Sequence, residues 1–264
     1  MLKSMFKNLL IVMLSLLLLN KASFAANDVQ FNFCYEQQEF LPHFRTSSIE
    51  LPKEKPGAAI EIIQHIDKQI PELSISYKRD NWSRCLKGLK TGKISGVLGS
   101  YSTARAKFSH YPMKQNQLDT ERAFSKISVC LFHLIDENIS WDGKSIQFDS
   151  PLIVSIPRGY HTIEILKSLN LDIYQTDTTE RAHNLLLNKK VTASVAQCDY
   201  SGFPDNVIPM LPPLRQDFGF IIISNKFYRE NPELSEKIWN ELAKTDQELF
   251  YSKYRSAKKT ASNR

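Results

Sequence analysis

The chain has 264 residues, 34 Lys and Arg against 28 Asp and Glu, a formal net charge of +6 and 42% hydrophobic residues. This is enough apolar sequence for one large globular domain or two lobes. The charges are interspersed and form no basic stripe, which argues against a nucleic-acid-binding protein.

The first element is an almost unbroken run of Leu, Ile, Val and Met over residues 9–19, preceded by Lys3 and Lys7. Ser23 and Ala25 follow at the minus three and minus one positions of a small-residue cleavage pattern, so residues 1–25 read as a signal peptide cleaved after Ala25. An uncleaved anchor fits less well, because about eleven apolar residues fall short of the ~20 that cross a bilayer. Export to a bacterial periplasm is the expectation, with no Cys at the cleavage point to carry a lipid. Removing Lys3, Lys7 and Lys21 with this segment lowers the formal charge to +3, 31 basic against 28 acidic residues.

Val29, Phe31 and Phe33 then alternate as a strand, and after a loop through Pro42, Pro52 and Pro56 a helix carries Ala59, Ile62, Ile63 and Ile66. Pro71 closes it. Leu73, Ile75 and Tyr77 predict a second strand, Trp82, Cys85, Leu86 and Leu89 a short helix, and residues 96–99 a small buried strand. The rhythm repeats from residue 152, where an apolar run to Ile156 precedes a helix with Ile163, Leu166 and Leu169. Leu171 and Ile173 follow as a strand, extending to Gln175, and Asp177 with Glu180 resembles a capping box opening a helix with Ala182, Leu185 and Leu186. Val191, Ala193 and Val195 alternate toward Cys198. Residues 219–223 form another apolar strand, and Asn231 before Pro232 starts a helix with Leu234, Ile238 and Leu242 on one face. The basic tail, with Lys253, Arg255, Lys258, Lys259 and Arg264, reads as a frayed, solvated end.

Two successive α/β units predict an α/β protein of two lobes, each a mainly parallel sheet flanked by helices. The expected layout is lobe one over residues 26–122, lobe two over 123–215, and a return to lobe one over 216–264. Ligands of open α/β sheets bind outside the carboxyl ends of strands, which directs attention to the loops after Phe33, Val97, Ile156 and Val195.

Cys34, Cys85, Cys130 and Cys198 are widely spaced and contain no CxxC, which argues against a structural zinc site. An oxidising compartment permits three connectivities, and free buried thiols remain the other reading. If bridges form, Cys34 with Cys85 and Cys130 with Cys198 each stay within one lobe.

Catalytic signatures are missing. The sequence has no GxSxG, HExxH or dinucleotide glycine fingerprint, and residues 88–93 miss a P-loop, one residue short and with Ile94 where a hydroxyl is needed. His43, His65, His110, His133, His161 and His183 are scattered without metal-ligand spacing, and Glu36 with Glu39 reads as a solvated carboxylate pair. Neither enzyme activity, cofactor nor metal is expected.

The ordered succession Cys34-Tyr35-Glu36, Pro56-Gly57, Trp82-Ser83-Arg84-Cys85-Leu86, Gly88-Leu89-Lys90-Thr91-Gly92, Ser102-Thr103-Ala104-Arg105 and Tyr111-Pro112 resembles the family-3 extracellular solute-binding proteins. The likeness continues through Trp141-Asp142-Gly143, Arg158-Gly159-Tyr160 and Ile238-Trp239 and covers nearly all of the exported chain. The resemblance implies a bilobal fold, a hinge crossed twice, closure around a small solute, and a monomer serving an ABC-type permease or a membrane sensor. A dehydratase-like enzyme on the same scaffold is the other reading it leaves open.

It also assigns roles. The arginine of the Thr-x-x-Arg stretch, here Arg105, would clamp a ligand carboxylate through its planar fork of donors. The acid that commonly receives an amino acid's ammonium falls on Gln197, which cannot supply the charge, with Asp199 as a substitute two residues on. The remaining candidate pocket residues are Tyr35, Phe40, Trp82, Ser100, Tyr101, Ser102, Arg158, Tyr160 and His161, with Gly159 expected to open a helix whose free N–H groups meet an anion.

Overall fold

A computed structural model describes residues 28–45, 50–124, 126–149, 151–200 and 202–261, with side chains through residue 254. The expected signal peptide lies outside the described residues. Among these, no helix is long and apolar enough to cross a membrane.

In lobe one, β1 (Val29–Glu36), α1 (Ala58–Gln69), β2 (Leu73–Asp80), α2 (Trp82–Lys90) and β3 (Gly96–Ser100) follow one another, then a four-residue turn of helix, α3 (Thr103–Ala106). Short strands β4 (Ser109–His110), β5 (Met113–Lys114) and β6 (Gln117–Leu118) lead to β7 (Lys126–Leu134). Lobe two adds β8 (Ile139–Trp141), β9 (Ile146–Phe148), β10 (Ile153–Pro157), α4 (Ile163–Ser168), β11 (Asp172–Thr176), α5 (Thr179–Leu187), β12 (Ala193–Gln197) and β13 (Val207–Pro209). The chain returns through β14 (Arg215–Ser224), α6 (Asn225–Glu230), α7 (Pro232–Lys244) and α8 (Gln247–Ala261).

The two halves repeat one topology. Lobe one orders its strands β2-β1-β3-β14 and lobe two β11-β10-β12-β7, and within each the first three are parallel and the fourth antiparallel. A single strand joins them, because β14 pairs with β7 over residues 215–218 and with β3 over residues 219–223. The chain therefore passes between the halves twice, along β7 and back along β14.

Each half is packed on both faces, as a parallel sheet must be. In lobe one, Ile60, Ile63 and Ile66 of α1 and Ile238, Trp239 and Leu242 of α7 cover one face together with Phe31 and Phe33. Trp82, Cys85 and Leu89 of α2 cover the other with Val97 and Phe220. Leu166 packs beside Val154 and Ile156 in lobe two, and Leu186 packs with Phe132 on the opposite face. Disulfides join Cys34 to Cys85 and Cys130 to Cys198.

Local chemistry explains several boundaries. The Asn81 side chain accepts from the Arg84 amide and so caps α2, while Lys87 and Lys90 in its last turn face the negative end of the helix dipole. Gly57 precedes α1 at φ +113°, and a Cβ there would meet the His43 carbonyl oxygen at 2.2 Å, so only glycine fits. Three local expectations need correction. Thr178, not Asp177, caps α5, since its hydroxyl accepts from the Arg181 amide and Asp177 pairs outward with Arg158. Gly159 does not open a helix, because it turns at φ +84° and α4 starts four residues later at Ile163. The basic tail is not frayed through residue 261: α8 is helical, Tyr251 is buried, Lys253 pairs with Glu61 at 3.0 Å, and the Tyr254 hydroxyl reaches Glu61 at 2.6 Å. Arg264 lies outside the described residues.

Candidate functional site

The strand order reverses beside β1 in lobe one and beside β10 in lobe two, and crevices form at the carboxyl ends of strands at such points. Those ends are Glu36 and Ser100 in one lobe, Pro157 and Gln197 in the other. Glu36, Ser100 and Gln197 line a single cavity of about 140 Å³ between the lobes, and the loop after Pro157 adds Tyr160, His161 and Thr162.

The lobes meet across this cavity. The Trp82 indole N–H of lobe one donates to the Gly159 carbonyl of lobe two at 3.2 Å, and Arg105 Nη2 donates to the same oxygen at 2.8 Å. Tyr160 reaches Glu36 Oε2 at 3.4 Å, and Phe40 stacks on Tyr200 with ring centroids 6.2 Å apart. Gly159 thus presents its carbonyl to lobe one, where the sequence had led us to expect helical N–H groups.

Arg105 is the organising charge. It sits on the short α3, only 5% exposed, with Nη1 donating to the Ser100 carbonyl at 2.9 Å and the guanidinium 5.1 Å from the Trp82 ring centroid. Burial pushes its pKa down, an effect the Tyr111 oxygen opposes. Among the described residues no carboxylate lies within ion-pair distance of it. A desolvated cation bonded mainly to neutral oxygens is an expensive arrangement, and an anion entering the cavity would relieve it.

The hinge adds a second guanidinium. Arg215 opens β14, lines the cavity and pairs with Asp217, and burial together with Arg105 lowers its pKa to about 10. His161, also at the wall, is pushed down to about 3 by burial and by the charges of Arg215 and Arg105. One end of the cavity is therefore cationic without help from imidazolium. Its body is apolar and aromatic, from Tyr35, Phe40, Phe44, Trp82, Leu98 and Tyr160.

Of the residues singled out in the sequence, Tyr35, Phe40, Trp82, Ser100, Arg105, Tyr160, His161 and Gln197 line the cavity. Four do not. Ser102 turns away to cap α3, accepting from the Arg105 amide at 3.3 Å. Tyr101 packs edge-on against Tyr111. Arg158 points outward with its side chain 57% exposed, held by Asp177. Asp199 lies beyond the wall, where its charge favours the protonated form of His43 against the larger effect of burial. The residues missed are chiefly Glu36, His43, Thr179 and Arg215. Glu36 was findable as the last residue of the first alternating strand, whereas nothing local marks Arg215.

Burial also fixes protonation. His43 and His183 are each held down to about 4 and His161 to about 3, mainly by desolvation, while Glu36 is pushed up to about 7 by the same cause. The imidazoles, with pKa values lowered in the fold, contribute stability that is complete above about 6.5 and is lost as pH falls toward 4. Glu36 works the other way, its contribution complete below about 4.5 and lost as pH rises through 7. Near pH 5.5 unfolding therefore takes up about three protons on imidazoles and releases about one from Glu36. Discounting the partly exposed His161, stability should fall by about 2 kcal/mol per pH unit between pH 6.5 and 4.5. Urea midpoints at pH 7, 6 and 5 check this, and a flat profile would mean that these imidazoles titrate normally.

No protein-family model matches the sequence, and no curated protein matches it either. Solved structures do. A mutant of ArgBP from T. maritima superposes with a TM-score of 0.66 at 13% identity, covering 86% of this chain and 95% of that one. The GluR0 ligand-binding core from Nostoc punctiforme, in complex with L-glutamate, gives 0.62 at 14% identity, with 86% and 98% covered. An ancestral arginine-binding protein bound to glutamine gives 0.64 at 16% identity, with 86% and 96% covered. Together with the repeated strand order and the doubly crossed hinge, these likenesses show that the chain has the two-lobed periplasmic binding protein fold.

Proposed function

We propose that this protein is a periplasmic receptor that captures a small carboxylate-bearing solute by closing its two lobes, divided near residues 122 and 216, and passes it to an ABC-type importer. The observation that carries the reading is Arg105, a buried guanidinium at the lobe interface with no carboxylate partner among the described residues. Arg105 clamps the ligand's carboxylate, Arg215 reinforces the field, and Tyr35, Phe40, Trp82 and Tyr160 enclose its body. Structures with this fold that hold glutamate or glutamine support an amino-acid-like solute. The protein binds without chemical turnover, a reading supported by its likeness to proteins described as binding proteins.

A thermal-shift screen of amino acids, dicarboxylates, polyamines and small peptides tests this. Ligand at a hundredfold excess over its Kd stabilises by about 2.7 kcal/mol, so even modest binders register. Every stabilising compound should carry a carboxylate. Purely cationic hits, or a panel with no hits, would overturn the reading.

A further inference from the structure

The lobe-two position where an acid was expected holds Gln197, yet the cavity does contain a carboxylate, from the opposite lobe. Glu36 ends β1 and is the one acid among the described residues lining the cavity. Among those residues no Lys, Arg or His lies within ion-pair distance of it. What surrounds it is neutral. Tyr160, from the turn after β10, reaches it at 3.4 Å, longer than a good O–H···O bond, and Tyr160 is itself shared with Thr179 of α5 at 3.2 Å. The backbone N–H of Trp82, at the start of α2, and the Thr179 hydroxyl complete the set. Arg105 stacks over the Trp82 ring, and Tyr160 feels the charges of both Glu36 and Arg105. The nearby histidines, His43 and His161, are neutral above about pH 4 and so bring no cation.

From this arrangement we infer that Glu36 receives the ammonium group of the ligand, so that the solute is a compact zwitterion whose two charges are both held by lobe one. The inference rests on the receptor reading above and narrows its substrate class from carboxylates to amino acids. Lobe two then contributes the neutral groups of Tyr160, Thr179 and Gln197 and closes over a ligand already oriented. An ammonium brings the missing opposite charge, and three donors, into a desolvated site where Glu36 now meets only the neutral donors of Tyr160, Trp82 and Thr179.

A proton follows from this pairing. Burial holds the unliganded carboxyl up to about 7, and an adjacent ammonium favours its ionised form, so binding near neutral pH releases a proton. The apparent affinity for an amino acid should rise about tenfold per pH unit from pH 5 to 7 and level off above.

The test uses the twenty common amino acids, each paired with the carboxylic acid of the same skeleton lacking the α-amine, in thermal-shift assays on the purified protein, followed by calorimetry of the strongest pair. Wild type should bind the amino acid at least thirtyfold more tightly than its deaminated partner. Glu36→Gln should abolish that preference and the pH dependence while binding the deaminated acid as wild type does. The variant should fold, because the amide is isosteric with the carboxyl and burial there already disfavours charge, and circular dichroism with Glu36→Asp as a second variant guards that point. Equal binding of both members, or a preference that survives in Glu36→Gln, overturns the role of Glu36 and leaves the receptor standing. If no member of either series binds, the receptor reading itself falls and takes this one with it.

Discussion

Arg105→Ala should weaken binding of every carboxylate ligand by thirtyfold or more and erase ligand-induced thermal stabilisation. Truncating one partner of a buried, hydrogen-bonded charge pair costs about 2–5 kcal/mol, and each 1.4 kcal/mol is a factor of ten. The variant should still fold. Arg105 belongs to a four-residue helix whose anchoring is the Ser102 cap and the Ser109 hydroxyl donating to the Arg105 carbonyl, both of which survive the change. What it loses in the unliganded protein are bonds to the Ser100 and Gly159 carbonyls, set against release of a desolvated charge. Arg105→Lys separates charge from geometry, since an ammonium keeps the charge and loses the planar fork, and it should recover only part of the affinity. Binding by Arg105→Ala that matches wild type in calorimetry would remove this residue from the site.

The second large effect concerns the disulfides. Cys34 and Cys85 are 51 residues apart in sequence and Cys130 and Cys198 are 68 apart, so each bridge removes substantial freedom from the unfolded chain. The loop-entropy relation gives roughly 4 kcal/mol for either length. Replacing both members of one pair by serine should therefore lower the unfolding free energy by about that amount, measured from urea unfolding with midpoint and slope both fitted, the slope rising as the freed unfolded chain exposes more surface. A loss under 1 kcal/mol would mean that the unfolded chain is already constrained. Position adds a functional consequence. Cys34 precedes Tyr35 and Glu36 on β1, and Cys85 lies one turn of α2 beyond Trp82, so this bridge ties together two walls of the cavity. The other does the same for lobe two, where Cys198 follows Gln197.

Most of the architecture was readable because hydrophobic period reports which faces are buried. Phe31 and Phe33 on β1, Ile62, Ile63 and Ile66 on α1 and Leu166 on α4 all lie in the cores that their spacing predicted. The hairpins β5–β6 and β8–β9 were invisible because strands of two or three residues, largely exposed, leave no alternation to detect. The strand β14 was read only from Gly219 onward, since its first four residues serve the hinge and are mostly polar. The same cause hid Arg215, whose place in the cavity follows from a pairing of β14 with β7 that no local pattern encodes. Arg158 failed for the opposite reason: adjacency to Gly159 says nothing of which side of a turn a long side chain takes, and Asp177 draws it outward. Glu36 was passed over beside Glu39 as ordinary solvated charge. Its place at the end of the first alternating strand was the available signal, and the cavity that forms there is a property of the assembled sheets.

The contact between Trp82 and Gly159 makes the protein its own optical gauge. Of the three tryptophans, Trp239 is enclosed in lobe one with its N–H on the Ile221 carbonyl, and Trp141 bonds to the Pro212 carbonyl within lobe two. Only Trp82 has an indole spanning the two lobes. Separating them strips that indole of its carbonyl partner and admits solvent to the ring, shifting its emission to the red, while the other two stay dark to the movement. Tryptophan fluorescence of the unlabelled protein should thus follow opening and closing directly, solute by solute.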